Sequence, residues 1–137
     1  MRKWVILALI ITCAAREVFF RINSLAGNLV TFPIMIALLW ISLSNYVFRM
    51  PILIGSSMNW LAMLSNGGKM PYVGNFSCDA FHIKISSAAR LRILCDIIPL
   101  GGQGSCSIGD ILIYTGVAIF FFEWFWARPW KKLAKEV

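Results

Sequence analysis

The chain's single histidine, His82, lies between Asp79 and Asp96, with Asp110 further along. Imidazole and carboxylates together can ligate a metal ion or pass protons to and from a substrate. Their spacing imposes neither role. Arg92 and Asp96 stand four residues apart, so a salt bridge on one helix accounts for both. A lone histidine in a polar loop is ordinarily hydrogen-bonded and nothing more.

Two short polar blocks flank these residues. In "LSNGGKMP", Asn66, Gly67, Gly68 and Lys69 follow an apolar run and precede Pro71. A residue in the left-handed conformation closes a helix at Asn66 or Gly67, and the proline prevents it from resuming. The functional alternative is an anion-binding nest of glycine N–H groups beside Lys69. In "SIGD", Ser107 and Asp110 have capping-box spacing ahead of an apolar run. Each side chain then satisfies an unpaired backbone donor, and the carboxylate gains from the positive end of the helix dipole. Against this, a carboxylate one turn inside an apolar helix is also a candidate for binding a proton, a cation or a headgroup.

Of four cysteines, Cys13, Cys78, Cys95 and Cys106, none forms a C-x-x-C pair or a zinc-type spacing, so no metal centre is expected. In an oxidising compartment Cys78 would be placed to pair with Cys95 or Cys106. There is no G-x-S-x-G, no H-E-x-x-H and no P-loop glycine pattern, and an enzyme is not supported.

The elements that must position these groups are greasy. Hydrophobic residues make up 59% of 137, charged residues 14%, and mean hydropathy is +0.75, against about 45–50% apolar usage in ordinary soluble domains. Net charge is +7, but the cations come in scattered pairs such as Arg2-Lys3 and Lys131-Lys132 rather than in a stripe. Nucleic-acid binding is therefore not expected, and anionic headgroups suit the charge better.

Four apolar stretches predict four transmembrane helices, over residues 4–22, 28–48, 51–65 and 108–127. The first has only about 12 uninterrupted apolar residues and resembles a signal peptide. A retained helix is favoured, with Arg16 and Arg21 reaching for the interface. The second spans 21 residues without a charge. Between the third and fourth lies a loop over 66–107, in which Leu91, Leu94, Cys95 and Ile98 fall on one helical face. That spacing predicts an amphipathic interfacial helix begun at Ser86 or Ser87 and stopped at Pro99. The fold class expected is all-α, an integral membrane bundle forming a single domain over residues 1–137. The positive-inside rule places both termini in the cytoplasm.

"NWLAMLSNGGKMP", then His82, "RLRILCDIIP" and "SIGDILIYTG" together resemble domain of unknown function 5317, a family of bacterial membrane proteins. The resemblance covers residues 59–116, with Cys95 standing where it implies a small residue before the aspartate. It implies a multi-pass protein of the bacterial cell membrane whose three blocks converge on one side of the bilayer. It implies no activity.

The leading functional expectation is a non-enzymatic accessory or scaffolding subunit, packed through Trp- and Phe-rich faces against lipid and other membrane-protein subunits. A bound lipid or pigment would fit such faces. Close helix packing is expected at Gly55, Ser56 and Ser57. The alternative, from a different class, is a module that binds or transports an ion, headgroup or small solute where Asn66, Lys69, Asp96 and Asp110 converge. A wet pocket shared by the three blocks would favour the second.

Overall fold

The computed structural model of the chain describes residues 3–42, 49–74, 81–101 and 104–133. Its helices are α1 (Lys3–Ile22), α2 (Ser24–Ser42), α3 (Arg49–Ser65) and α4 (Ile108–Leu133). Four three-residue strands lie between α3 and α4: β1 (Met70–Tyr72), β2 (His82–Lys84), β3 (Ile98–Leu100) and β4 (Gly104–Cys106). Helix α1 packs along α2, α2 along α3, and α3 along α4.

The approach of α3 to α4 is set by glycine. Gly55 of α3 and Gly109 of α4 are both buried, and a Cβ on Gly55 would collide with the Gly109 carbonyl oxygen. A Cβ on Gly109 would lie 2.7 Å from the Gly55 carbonyl oxygen and overlap the Asn59 side chain. Without side chains at the crossing, the two backbones meet directly. Asn59 is thereby delivered to the first turn of α4.

The expected all-α membrane bundle is corrected on three counts. Among the described residues no helix is long and apolar enough to cross a membrane. Helix α3, at 17 residues, falls short of the ~20 that a span needs. Helices α1 and α4 break their apolar runs with charges, at Arg16-Glu17 and at Glu123.

The second correction is that the segment after α3 is not a single loop with a helix in it. It builds a parallel pair, β1 with β2, and an antiparallel hairpin, β3 with β4. The third is that residues 86–98 form no amphipathic helix. A turn at 87–88 is followed by a 3-10 turn, Arg92–Leu94, and then by extended chain.

The reason for the third lies in remote partners. The Asn66 side chain donates to the Arg90 carbonyl at 2.9 Å and accepts from the Arg90 N–H at 2.8 Å, taking both groups that a helix would use. Leu91 then adopts φ 49°, a left-handed conformation that breaks a right-handed helix. Further on, the Asp96 N–H donates to the Pro71 carbonyl at 3.0 Å, and its own carbonyl accepts from the Val73 N–H at 2.8 Å. Strand β1 therefore has β2 on one edge and Asp96 on the other, and Pro71 and Tyr72 are fully buried between them.

Candidate ligand-binding cleft

Helix α3 ends in a Schellman motif. The Gly68 N–H donates to the Met63 carbonyl at 2.8 Å, and Gly67 sits at φ 70° as the left-handed residue beyond the last turn. Asn66 adds a side-chain bond to the Ala62 carbonyl at 2.7 Å. The chain leaves this cap directly into β1, whose Met70 N–H donates to the Phe81 carbonyl at 2.8 Å. That pairing sets His82 opposite Met70.

Helix α4 begins with a closed network. The Asp110 N–H donates to Ser107 Oγ at 3.0 Å, and the Ser107 N–H donates to Asp110 Oδ2 at 3.0 Å. These are the reciprocal bonds of a capping box. Asn59 completes the network from α3, its Nδ2 donating to Asp110 Oδ1 at 2.7 Å and its Oδ1 accepting from Ser107 Oγ at 2.8 Å. Both Asp110 oxygens are thus engaged. Ser107 is fully buried and Asn59 nearly so.

Between the two helix ends opens a cleft of about 200 Å³, lined by Phe32, Asn59, Met63, Met70, Phe81, His82, Asp96 and Asp110. Each element brings its part: Phe32 comes from α2, Asn59 and Met63 from α3, Met70 from β1, His82 from β2, and Asp110 from α4. Ala62, Met63 and Met70 form the buried core beneath it, with Phe32 and Leu94 packed against them.

Asp96 is the least compensated group in the cleft. Its side chain is 7% exposed, and its Oδ2 lies 3.6 Å from His82 Nε2, an ion-pair separation longer than a hydrogen bond. Its Oδ1 is buried without a hydrogen-bond partner. Burial pushes the Asp96 carboxyl up to about 6, the negative charge of Asp110 adds to the rise, and His82 opposes it. Nearby Cys95 and Cys106 are also raised, each chiefly by burial and then by the aspartate charges.

Of the residues singled out in the sequence, the structure brings together His82, Asp96 and Asp110, with Ser107 tied in through Asn59. It does not bring in Asn66, which borders a separate hollow of about 100 Å³ with Pro71, Ile83 and Lys84. Gly67 and Gly68 serve the helix end, and the Gly68 N–H is already committed to Met63, so the anion nest beside Lys69 lacks one of its donors. Cys95 and Cys106 are buried free thiols. Cys78 and Asp79 themselves lie outside the described residues, and among those described no cluster of three or more His, Cys, Asp or Glu is placed to hold a metal ion. Sequence reasoning missed Asn59 as a site residue. Its signal was an amide in an apolar helix, one turn beyond Gly55.

Residues 2–122 match the profile of the Family of unknown function (DUF5317). The chain belongs to that family. The DUF5317 match takes in the first half of the chain, beyond the motif-bearing segment 59–116. An uncharacterized protein of Thermotoga maritima is 36% identical over 78 residues, which are 50% of this chain and 46% of that protein. The match thus spans about half the length of this relative. No solved structure matches the chain.

Proposed function

We propose that the chain is a binding module for a small polar solute or ion, taken up in the cleft where Asn59, His82, Asp96 and Asp110 meet. The observation that carries this reading is Asp96, a residue of the cleft wall whose buried carboxylate leaves Oδ1 without a hydrogen-bond partner. Leaving a buried acceptor unsatisfied costs about 1–3 kcal/mol, more when the group is charged. The same fold satisfies both oxygens of Asp110. A carboxylate held uncompensated beside one fully compensated is what a site awaiting a ligand requires.

The test is a thermal-shift panel of small cations, anions and neutral solutes on the full chain in mild detergent, with the Asp96→Asn variant in parallel. At least one solute raises the melting temperature of the wild type and leaves the variant unmoved. A panel that shifts both proteins equally, or neither, removes the support.

A second reading, an accessory subunit held against a bilayer or partner chains, draws on a different observation. Ile10, Ile11, Val18, Trp40, Phe121, Phe122 and Phe125 are all exposed on the helices. An apolar groove of about 550 Å³, bordered by Trp40 and Trp60, runs between α2 and α3. Apolar surface on this scale favours contact with lipid or protein. The two readings rest on different residues of α2 and α3, and both can hold. Localisation at the bacterial cell membrane belongs with this second reading.

A further inference from the structure

The ligand's chemistry follows from what lines the cleft, given the binding reading above. Asp96 Oδ1 is a buried acceptor that needs a donor. A carboxylate in an apolar wall is best compensated by a donor that also carries positive charge. Among the described residues, two carboxylates and no Lys or Arg line the cleft, in a chain whose net charge is +7. The local field therefore selects cations against the background of the whole protein.

Metal ions fit poorly. Hard cations take six to eight oxygen ligands, whereas half of this lining is Phe32, Met63, Met70 and Phe81. Both Asp110 oxygens already accept hydrogen bonds, so Asp110 contributes charge more than a coordination position. Aromatic rings and thioethers instead suit the carbon part of an organic cation, and rings also attract an ammonium group. The volume, about 200 Å³, is below the roughly 300–1,000 Å³ of pockets for drug-sized ligands.

We propose that the cleft takes a small organic amine in its ammonium form, whose N–H groups donate to the Asp96 carboxylate while its carbon chain lies against Phe32, Met63, Met70 and Phe81. Binding is then linked to pH. The ammonium needs an ionised Asp96, whose carboxyl stands at about 6, so affinity falls by about tenfold per pH unit below that value. Burial sets this behaviour first, then the charge of Asp110 at the start of α4, with His82 on β2 opposing; the neighbouring thiols Cys95 and Cys106 are themselves pushed up, chiefly by burial.

The experiment is calorimetric titration of the full chain in mild detergent at pH 8 with n-butylammonium, tetramethylammonium, calcium and n-butanol. Butylammonium binds, and Asp96→Asn weakens it by about 10- to 100-fold, the worth of a charged hydrogen bond. The melting temperature of the variant, measured alongside, is at least that of the wild type, which separates a lost ligand contact from a lost fold. Tetramethylammonium, which has no N–H, binds more weakly than butylammonium. If it or calcium binds as well as butylammonium, the donor argument is overturned while the cleft remains a binding site. Butanol binding that is indifferent to Asp96→Asn likewise ends the amine proposal and spares the binding reading. If none of the four binds, both fall.

Discussion

Asp96 and Asp110 border the same cleft, and the fold treats them in opposite ways. Asp110 sits at the start of a helix, with both oxygens accepting hydrogen bonds and the helix dipole favouring its charge. Asp96 sits in extended chain beside β1, with one oxygen 3.6 Å from an imidazole and the other without a partner. A carboxylate that stabilises the fold has its lone pairs filled by the protein. One that the fold tolerates at a cost has them left open, and that cost is the mark of a residue retained for something else. On sequence grounds Asp110 drew more suspicion, because it lies inside an apolar helix. Geometry transfers the suspicion to Asp96.

The most damaging way to break the contrast is to remove the frame that both aspartates share. Gly55→Ala or Gly109→Ala forces α3 and α4 apart where their backbones touch, and each lowers unfolding free energy by ~3 kcal/mol. Denaturant titration measures this loss, and it should abolish ligand binding at the same time.

Next comes Asp96→Asn, whose expected direction is unusual for a buried residue. The folded carboxyl is raised from 3.8 to about 6, so the native state holds its proton more tightly than the unfolded chain does. Stability from this group is therefore fully present below about pH 4 and is lost as pH rises through 6. Asparagine carries no such charge, and the variant gains up to ~3 kcal/mol over the wild type at pH 8.

Asn59→Ala acts on the other aspartate. It strips one acceptor from Ser107 Oγ and one donor from Asp110 Oδ1, for a loss of ~2 kcal/mol, again read by denaturant titration. The smallest effect is expected at Gly67→Ala, which places a side chain at φ 70° with open space around it. Backbone strain alone costs ~1 kcal/mol there, and ligand affinity is unchanged.

Both helix ends were legible in the sequence because a cap is local: "NGG" and "S-x-x-D" carry their partners within a few residues. The segment 86–98 misled for the opposite reason. Its apolar spacing suits a helix, but the groups that decide its backbone are Asn66 and Pro71, both remote in the chain. Strands of three residues are too short to show an alternating pattern, so β1 to β4 left no trace. Residue type alone flagged His82, Asp96 and Asp110. What it lacked was Asn59, hidden in an apolar run, and the glycine crossing that carries it to α4. The membrane bundle followed from composition, which counts apolar residues without saying which faces they occupy.

The contrast between the two aspartates is tested most directly by measuring unfolding free energy from pH 3 to pH 8 for the wild type, Asp96→Asn and Asp110→Asn. The account predicts that Asp96→Asn draws level with the wild type at the acid end and exceeds it at pH 8, while Asp110→Asn is less stable at pH 8 by ~1 kcal/mol, the worth of a helix cap. An Asp96→Asn variant less stable than the wild type at pH 8 would make Asp96 another structural carboxylate and contradict the account.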